Sequence, residues 1–166
     1  MDLEKKYTIE VDAPQPISLD RYSGNVSREY KLLLDNNDSD EKAFQSFFER
    51  NPCMLPLEGN INHSVLHGCL LSQPSICGDT IKRVPDFMWI GSNSLSLIPV
   101  LIEIERPSKQ AYRNCDGVQT ALFSQAENQI LEWKAILEDG RQDFYERFSV
   151  PSGMRKRKFE PHYVLI

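Results

Sequence analysis

Several features are missing from this 166-residue chain, and each absence removes a class of protein. No apolar stretch approaches the roughly 20 residues that a helix needs to span a bilayer. The N-terminal segment MDLEKKYTIEVD lacks the apolar core of a secretory signal, so a cytoplasmic protein is expected. The four cysteines (Cys53, Cys69, Cys77 and Cys115) form no C-x-x-C pair, which favours reduced thiols and argues against a zinc site. The three histidines, His63, His67 and His162, are scattered. His67-x-Cys69 is half a zinc pattern with no second half, so structural roles are expected for these residues. No Gly-rich phosphate loop and no Ser-His-Asp arrangement is visible. There is no internal repeat and no low-complexity tract.

What is present fits one globular domain. Hydrophobic residues make up 40% and charged residues 26%, enough for a core inside a charged surface. The net charge of -5 argues against a general nucleic-acid coat protein. The charge is uneven, however. Arg155, Lys156, Arg157 and Lys158 form a basic run, for which a solvated surface is the simpler account. Lys82, Arg83, Arg106, Lys109 and Arg113 flank a group of acids, as a phosphate polymer at a metal site would require.

Residues 1–12 alternate weakly and suit a strand, which Pro14 and Pro16 interrupt. Residues 25–35 fit either a strand or a short helix. Asn36 to Ser39 form a turn that offers N-caps, and Phe44, Phe47 and Phe48 predict a helix over 40–50. Asn51-Pro52 ends it. Strands are expected over 63–72, 81–90 and 95–105, with Pro85 marking an edge, bulge or distortion and Gly91 to Ser94 a hairpin turn. After a loop at 106–117, Leu122, Ala126, Ile130, Trp133 and Leu137 predict a helix over 118–138, stopped by Gly140. Residues 140–160 read as polar and mobile, and HYVLI at the end reads as a strand, with the native chain continuing beyond it or trimmed there. The order is α/β with a mixed sheet flanked by helices.

The chemistry lies in three carboxylates, Asp86, Glu103 and Glu105. Glu103 and Glu105 alternate onto one face of their strand. Pairing about the hairpin turn places residues near 86 opposite residues near 100–103. Acids brought together this way repel one another unless a cation sits between them, and magnesium or manganese suits such oxygen ligands. A bound ion of this kind polarises a phosphoryl oxygen and activates water. Asp86 and Glu103 are the expected metal ligands, with Glu105 a third ligand or a group that orients water. The alternative is that Glu103 and Glu105 form the wet face of an edge strand, but LIPVLIEIE is too apolar for an edge.

The stretch VPDFMWIGSNSLSLIPVLIEIERP resembles the core of the PD-(D/E)XK nuclease superfamily, whose signature is Pro-Asp, a hairpin, then Glu-x-Lys on an apolar strand. More narrowly, FQSFFERNP, PD, EIERP and AENQILEW resemble the Shedu-type (DUF4263) anti-phage nucleases. The resemblance covers residues 40–166, leaves 1–39 as an N-terminal extension of strand and loop, and implies a restriction-endonuclease-like αβββαβ core. It also implies a Mg-dependent endonuclease acting on DNA rather than RNA, often as a homo-oligomer. Glu105 stands where the family has lysine. Some active restriction endonucleases of the superfamily carry glutamate there, and Lys109 is better placed than Arg106 to supply the positive charge. The resemblance gives Gln129 a supporting role, with Trp133 four positions later in place of tyrosine. Rim and core packing explain this pair equally well, and Gln125 is a weaker candidate. Glu41 resembles the first-helix acid that joins such sites, with Glu49 next, although a solvated helical face accounts for Glu41, Gln45 and Glu49 singly. Two competing readings remain. One is a catalytically degenerate nucleic-acid-binding or assembly module marked by Glu105. The other is an unrelated α/β domain.

Overall fold

A computed structural model describes residues 18–36, 40–56, 64–65, 70–78 and 82–166. The strand expected over 1–12, together with His63, His67 and Cys69, lies outside the described residues. Among the described residues, no helix is long and apolar enough to cross a membrane. Cys53, Cys77 and Cys115 are free thiols.

The chain opens with α1 (Leu19–Asp35), capped by Ser18, whose hydroxyl accepts from the Arg21 amide at 3.3 Å. This corrects the expectation of strand and loop for residues 19–35 and settles 25–35 as helix. Tyr22, Val26, Tyr30 and Leu33 recur at helical spacing and pack into the core with α2 (Glu41–Arg50). Asp40 caps α2 by accepting from the Ala43 amide at 2.9 Å, and Asn51 ends it. Phe44, Phe47 and Phe48 are buried, each contributing about 2–3 kcal/mol of hydrophobic stabilisation. Asn51 joins the two helices, accepting from the Tyr22 hydroxyl at 3.2 Å and donating to the Phe47 carbonyl at 3.1 Å.

The sheet is built on β5 (Phe87–Ser92) and β6 (Ser96–Glu103), an antiparallel hairpin in which Phe87 faces Ile102 and Ser92 faces Leu97. Two short strands, β1 (Ser64–Val65) and β2 (Leu71–Ser72), pair with the outer edge of β5. β3 (Ile76–Cys77) and β4 (Lys82–Arg83) form a separate ribbon. Pro85 falls between β4 and β5, so the strand expected over 81–90 divides there between two sheets. β7 (Lys158–Phe159) and β8 (His162–Leu165) run parallel to β6 on its other side. β6 is thus central, which accounts for its apolar sequence.

Side chains alternate across β6. Leu97 and Leu101 face α3 (Ala121–Asp139) and α4 (Arg141–Arg147), while Ile98, Val100, Ile102 and Ile104 face α1 and α2. The result is a mixed sheet between two helical layers. Thr120 caps α3, and Ala126, Trp133, Ile136 and Leu137 are its buried positions. Leu122, expected in the apolar stripe, is 52% exposed. Residues 140–160 are structured as α4, α5 (Ser152–Arg155) and β7. Phe144, Tyr145, Phe148, Val150 and Phe159 are core residues there, correcting the expectation of a polar, mobile segment.

Candidate functional site

Asp86 immediately precedes β5, and Glu103 ends β6. The hairpin register pairs Phe87 with Ile102, so the next rung outward sets Asp86 against Glu103. Along each strand, alternation places these acids on the face of Met88, Ile90 and Leu101, towards α3. The two carboxylates therefore share one side of the sheet and one rung.

Each acid is braced by different chemistry. The Asp86 carboxylate accepts from the Ile104 amide at 2.8 Å, and its carbonyl accepts from the Gln73 amide at 2.8 Å. Glu103 accepts from the Gln129 side-chain amide of α3 at 2.5 Å. Its second oxygen, Oε2, is buried with no hydrogen-bond partner. Burial, followed by the nearby charge of Asp86, pushes the Glu103 carboxyl up to about 7 against the opposing effects of Gln129 and the Asp86 main-chain amide, with Glu105 adding a small further rise. Burial also raises Asp86, the Ile104 amide opposes that rise, and Glu41 and Glu105 add to it.

Glu105 lies just beyond β6. Its amide donates to the Ile166 carbonyl at 2.8 Å, and the Ile166 amide donates to the Glu103 carbonyl at 2.9 Å. The Glu105 carboxylate accepts a short hydrogen bond from Lys109 Nζ, which also donates to Glu41 at the start of α2 at 2.9 Å. Burial would lower the Lys109 ammonium, but its bonds to Glu105 and Glu41 outweigh burial and hold it above its ordinary value. Arg106 Nε sits 3.9 Å from the same Glu41 carboxylate. The strand ends at Glu103, so the alternation expected to turn Arg106 away from this group does not extend that far.

The structure thus gathers Asp86, Glu103, Glu105, Glu41, Gln129 and Lys109 around the end of β6. Among the described residues, no three His, Cys, Asp or Glu side chains are arranged to hold one metal ion. Two acids stand together, and the third is paired with Lys109. The donor set of that pair still suits a hard cation. It offers two carboxylates, one with a buried oxygen that nothing satisfies, and magnesium keeps several waters when few carboxylates are present.

Other candidates fall elsewhere. Glu49 bonds to Gln45 at 3.3 Å and to the Ser72 hydroxyl at 2.9 Å, over β2. Gln125 is exposed on α3, and Trp133 is fully buried in the core beneath Gln129. Arg83 pairs with Glu132 and Arg113 with Asp116, so of the expected basic rim Arg106 and Lys109 are the members paired with the site's acids. The 155–158 run meets β6 at Ser96, the end opposite Glu103 and about 23 Å away at strand spacing. Arg157 there donates to the Asn93 carbonyl at 2.5 Å and Arg155 to the Val150 carbonyl at 2.8 Å. Sequence reasoning missed the main-chain bracing by Ile104 and Ile166. No side-chain pattern signals it, although the parallel pairing of HYVLI with β6 implies it.

A mixed sheet between helical layers, with a braced acidic pair at the end of its central strand, defines an α/β domain with a polar site on its rim. Residues 38–166 match the family described as Shedu protein SduA, C-terminal, and the chain belongs to that family. No curated protein and no solved structure gave a match.

Proposed function

We propose that this domain is a metal-dependent nuclease that hydrolyses phosphodiester bonds of DNA in anti-phage defence. The observation that carries this reading is the frustrated pair. Asp86 and Glu103 share a rung and a face, both are raised in pKa, and Glu103 Oε2 is buried without a partner. A divalent cation relieves all three costs at once. Membership of the Shedu family supports the defence role.

In this reading Asp86 and Glu103 hold Mg²⁺ or Mn²⁺, which when bound polarises the phosphoryl oxygen and acidifies water. The Ile104 amide fixes Asp86, and Gln129 fixes Glu103, on one rung and one face of the sheet. Lys109 supplies the positive charge near the phosphate and keeps Glu105 and Glu41 neutralised. The test is cleavage of single- and double-stranded DNA and RNA across a Mg²⁺ and Mn²⁺ titration. Wild-type protein should cut DNA only with metal, and Asp86→Ala should lose cleavage entirely. Metal-independent cutting, or full activity in Asp86→Ala, refutes the proposal.

One observation favours a second reading. Glu105, at the position of the family lysine, is tied to Lys109, and the described side chains offer two converging acids rather than three. That arrangement suits a fold kept for nucleic-acid binding after loss of catalysis. DNA binding that neither requires metal nor leads to cleavage would select it.

A further inference from the structure

A pocket of about 330 Å³ opens beside the acidic pair, between α1, α2, the start of α3, the 106–111 segment and the end of β8. Its volume falls in the range of small-ligand sites. The lining is aromatic and aliphatic. Phe44 and Phe48 are buried beneath it, and half-buried Tyr30 and Phe123 present ring surface at its sides. One edge is polar and carries Glu105, Arg106 and Lys109, and Glu105 follows Glu103 by two residues just past the end of β6. Leu122 stands at the pocket 52% exposed, so its α3 turn is open to solvent rather than packed.

The geometry points to a binding site for one unstacked nucleobase. An aromatic-lined hollow gives a base the stacking it loses on leaving its neighbours, whatever its identity. The Glu105 carboxylate accepts from a base amino group. The half-exposed Arg106 guanidinium, whose ion pair to Glu41 spans 3.9 Å, has donors for a ring carbonyl or the adjoining phosphate. The volume admits one base with its sugar. Because Glu105 and Lys109 belong both to the pocket edge and to the acidic site, a strand with a base inserted here lays its neighbouring phosphate towards Asp86 and Glu103. This inference rests on the nuclease reading, and it makes the domain's substrate a locally unpaired strand. The same base chemistry is offered by a free nucleotide, so the test separates the two sources.

The full chain is titrated, with Ca²⁺ in place of Mg²⁺, against a short single-stranded DNA carrying one 2-aminopurine, read by fluorescence and anisotropy. Leu122→Trp fills the pocket from an exposed helical position, and circular dichroism checks its fold. Phe123→Ala removes a ring as a second, independent variant. The expected result is a fluorescence change at one position along the strand. Affinity should fall about tenfold when that position is made abasic or when either variant is used, the size of one lost base stack. Deoxyadenosine monophosphate should compete only weakly. If that nucleotide alone binds tightly, loses binding in Leu122→Trp, and abasic strands bind normally, a free ligand occupies the pocket and the strand assignment is overturned. If both variants and abasic strands bind and are cut like wild type, the pocket assignment fails while the nuclease reading stands. If no strand is bound or cut by wild type, both fail.

Discussion

Replacing Glu103 by glutamine should make the metal-free protein more stable while abolishing cleavage. Glu103 titrates near 7 in the fold against 4.5 for an ordinary glutamate, chiefly through burial and the charge of Asp86. The native state therefore holds more protons than the unfolded chain between these values. Stability falls as pH rises through that window and stays lowered above it. The shift corresponds to about 3 kcal/mol, and discounting for the partial exposure of the side chain leaves about 2 kcal/mol. Glutamine keeps an acceptor for Gln129 and offers its amide to Asp86, removing the repulsion. At pH 8 in EDTA, Glu103→Gln should melt about 4–8 °C above wild type for a chain of this size. Below pH 4.5 the two melting curves should converge. Adding Mg²⁺ should stabilise wild type and leave the variant unchanged, and wild-type affinity for the ion should weaken below pH 7 as protons compete. A variant less stable than wild type at pH 8 without metal would refute the reasoning, because it would mean the carboxylate is already satisfied in the bare fold.

Gln129→Ala should weaken Mn²⁺ binding by about 10–100-fold in calorimetric titration and move the pH dependence of binding upward, since Gln129 opposes the rise of Glu103. Lys109→Met should separate binding from turnover. Removing a cation leaves metal affinity equal or higher, while cleavage drops by about 10² or more, with partial recovery in Lys109→Arg. Gly140→Ala should cost about 1–3 kcal/mol in urea unfolding, because a Cβ there meets the Ile136 carbonyl oxygen at 2.8 Å and the Cys77 carbonyl oxygen at 3.0 Å, and both are main chain.

Much of this arrangement was legible in the sequence because it depends on local period and short loops. The three phenylalanines of α2, the β5–β6 hairpin and the long α3 each repeat at the spacing of their element. The hairpin arithmetic placed residues near 86 opposite residues near 100–103, and the register narrows that to Asp86 against Glu103. Helix α1 was obscured because Leu32, Leu33 and Leu34 form a run that suits a strand equally, and its helical stripe shows only once Tyr22 and Val26 are included. The order within residues 140–160 is hidden because charged side chains surround aromatic positions whose burial depends on the distant Met88 and Leu97. Strands of two residues, such as β3 and β7, exist through their partners and have no signature of their own. At the site, the link from Glu41 to Lys109 joins α2 to a loop far along the chain, and such a contact follows from tertiary packing rather than spacing.

The paired main-chain bonds between Ile166 and residues 103 and 105 have a consequence for biogenesis. A ribosome delivers β6 and its acids well before β8, so the nascent chain carries them without the neighbouring strand that seats them. Assembly of the rim waits until residue 166 has cleared the exit tunnel. A polypeptide interrupted in translation before that point lacks the strand that holds the main chain of residues 103 and 105 in place.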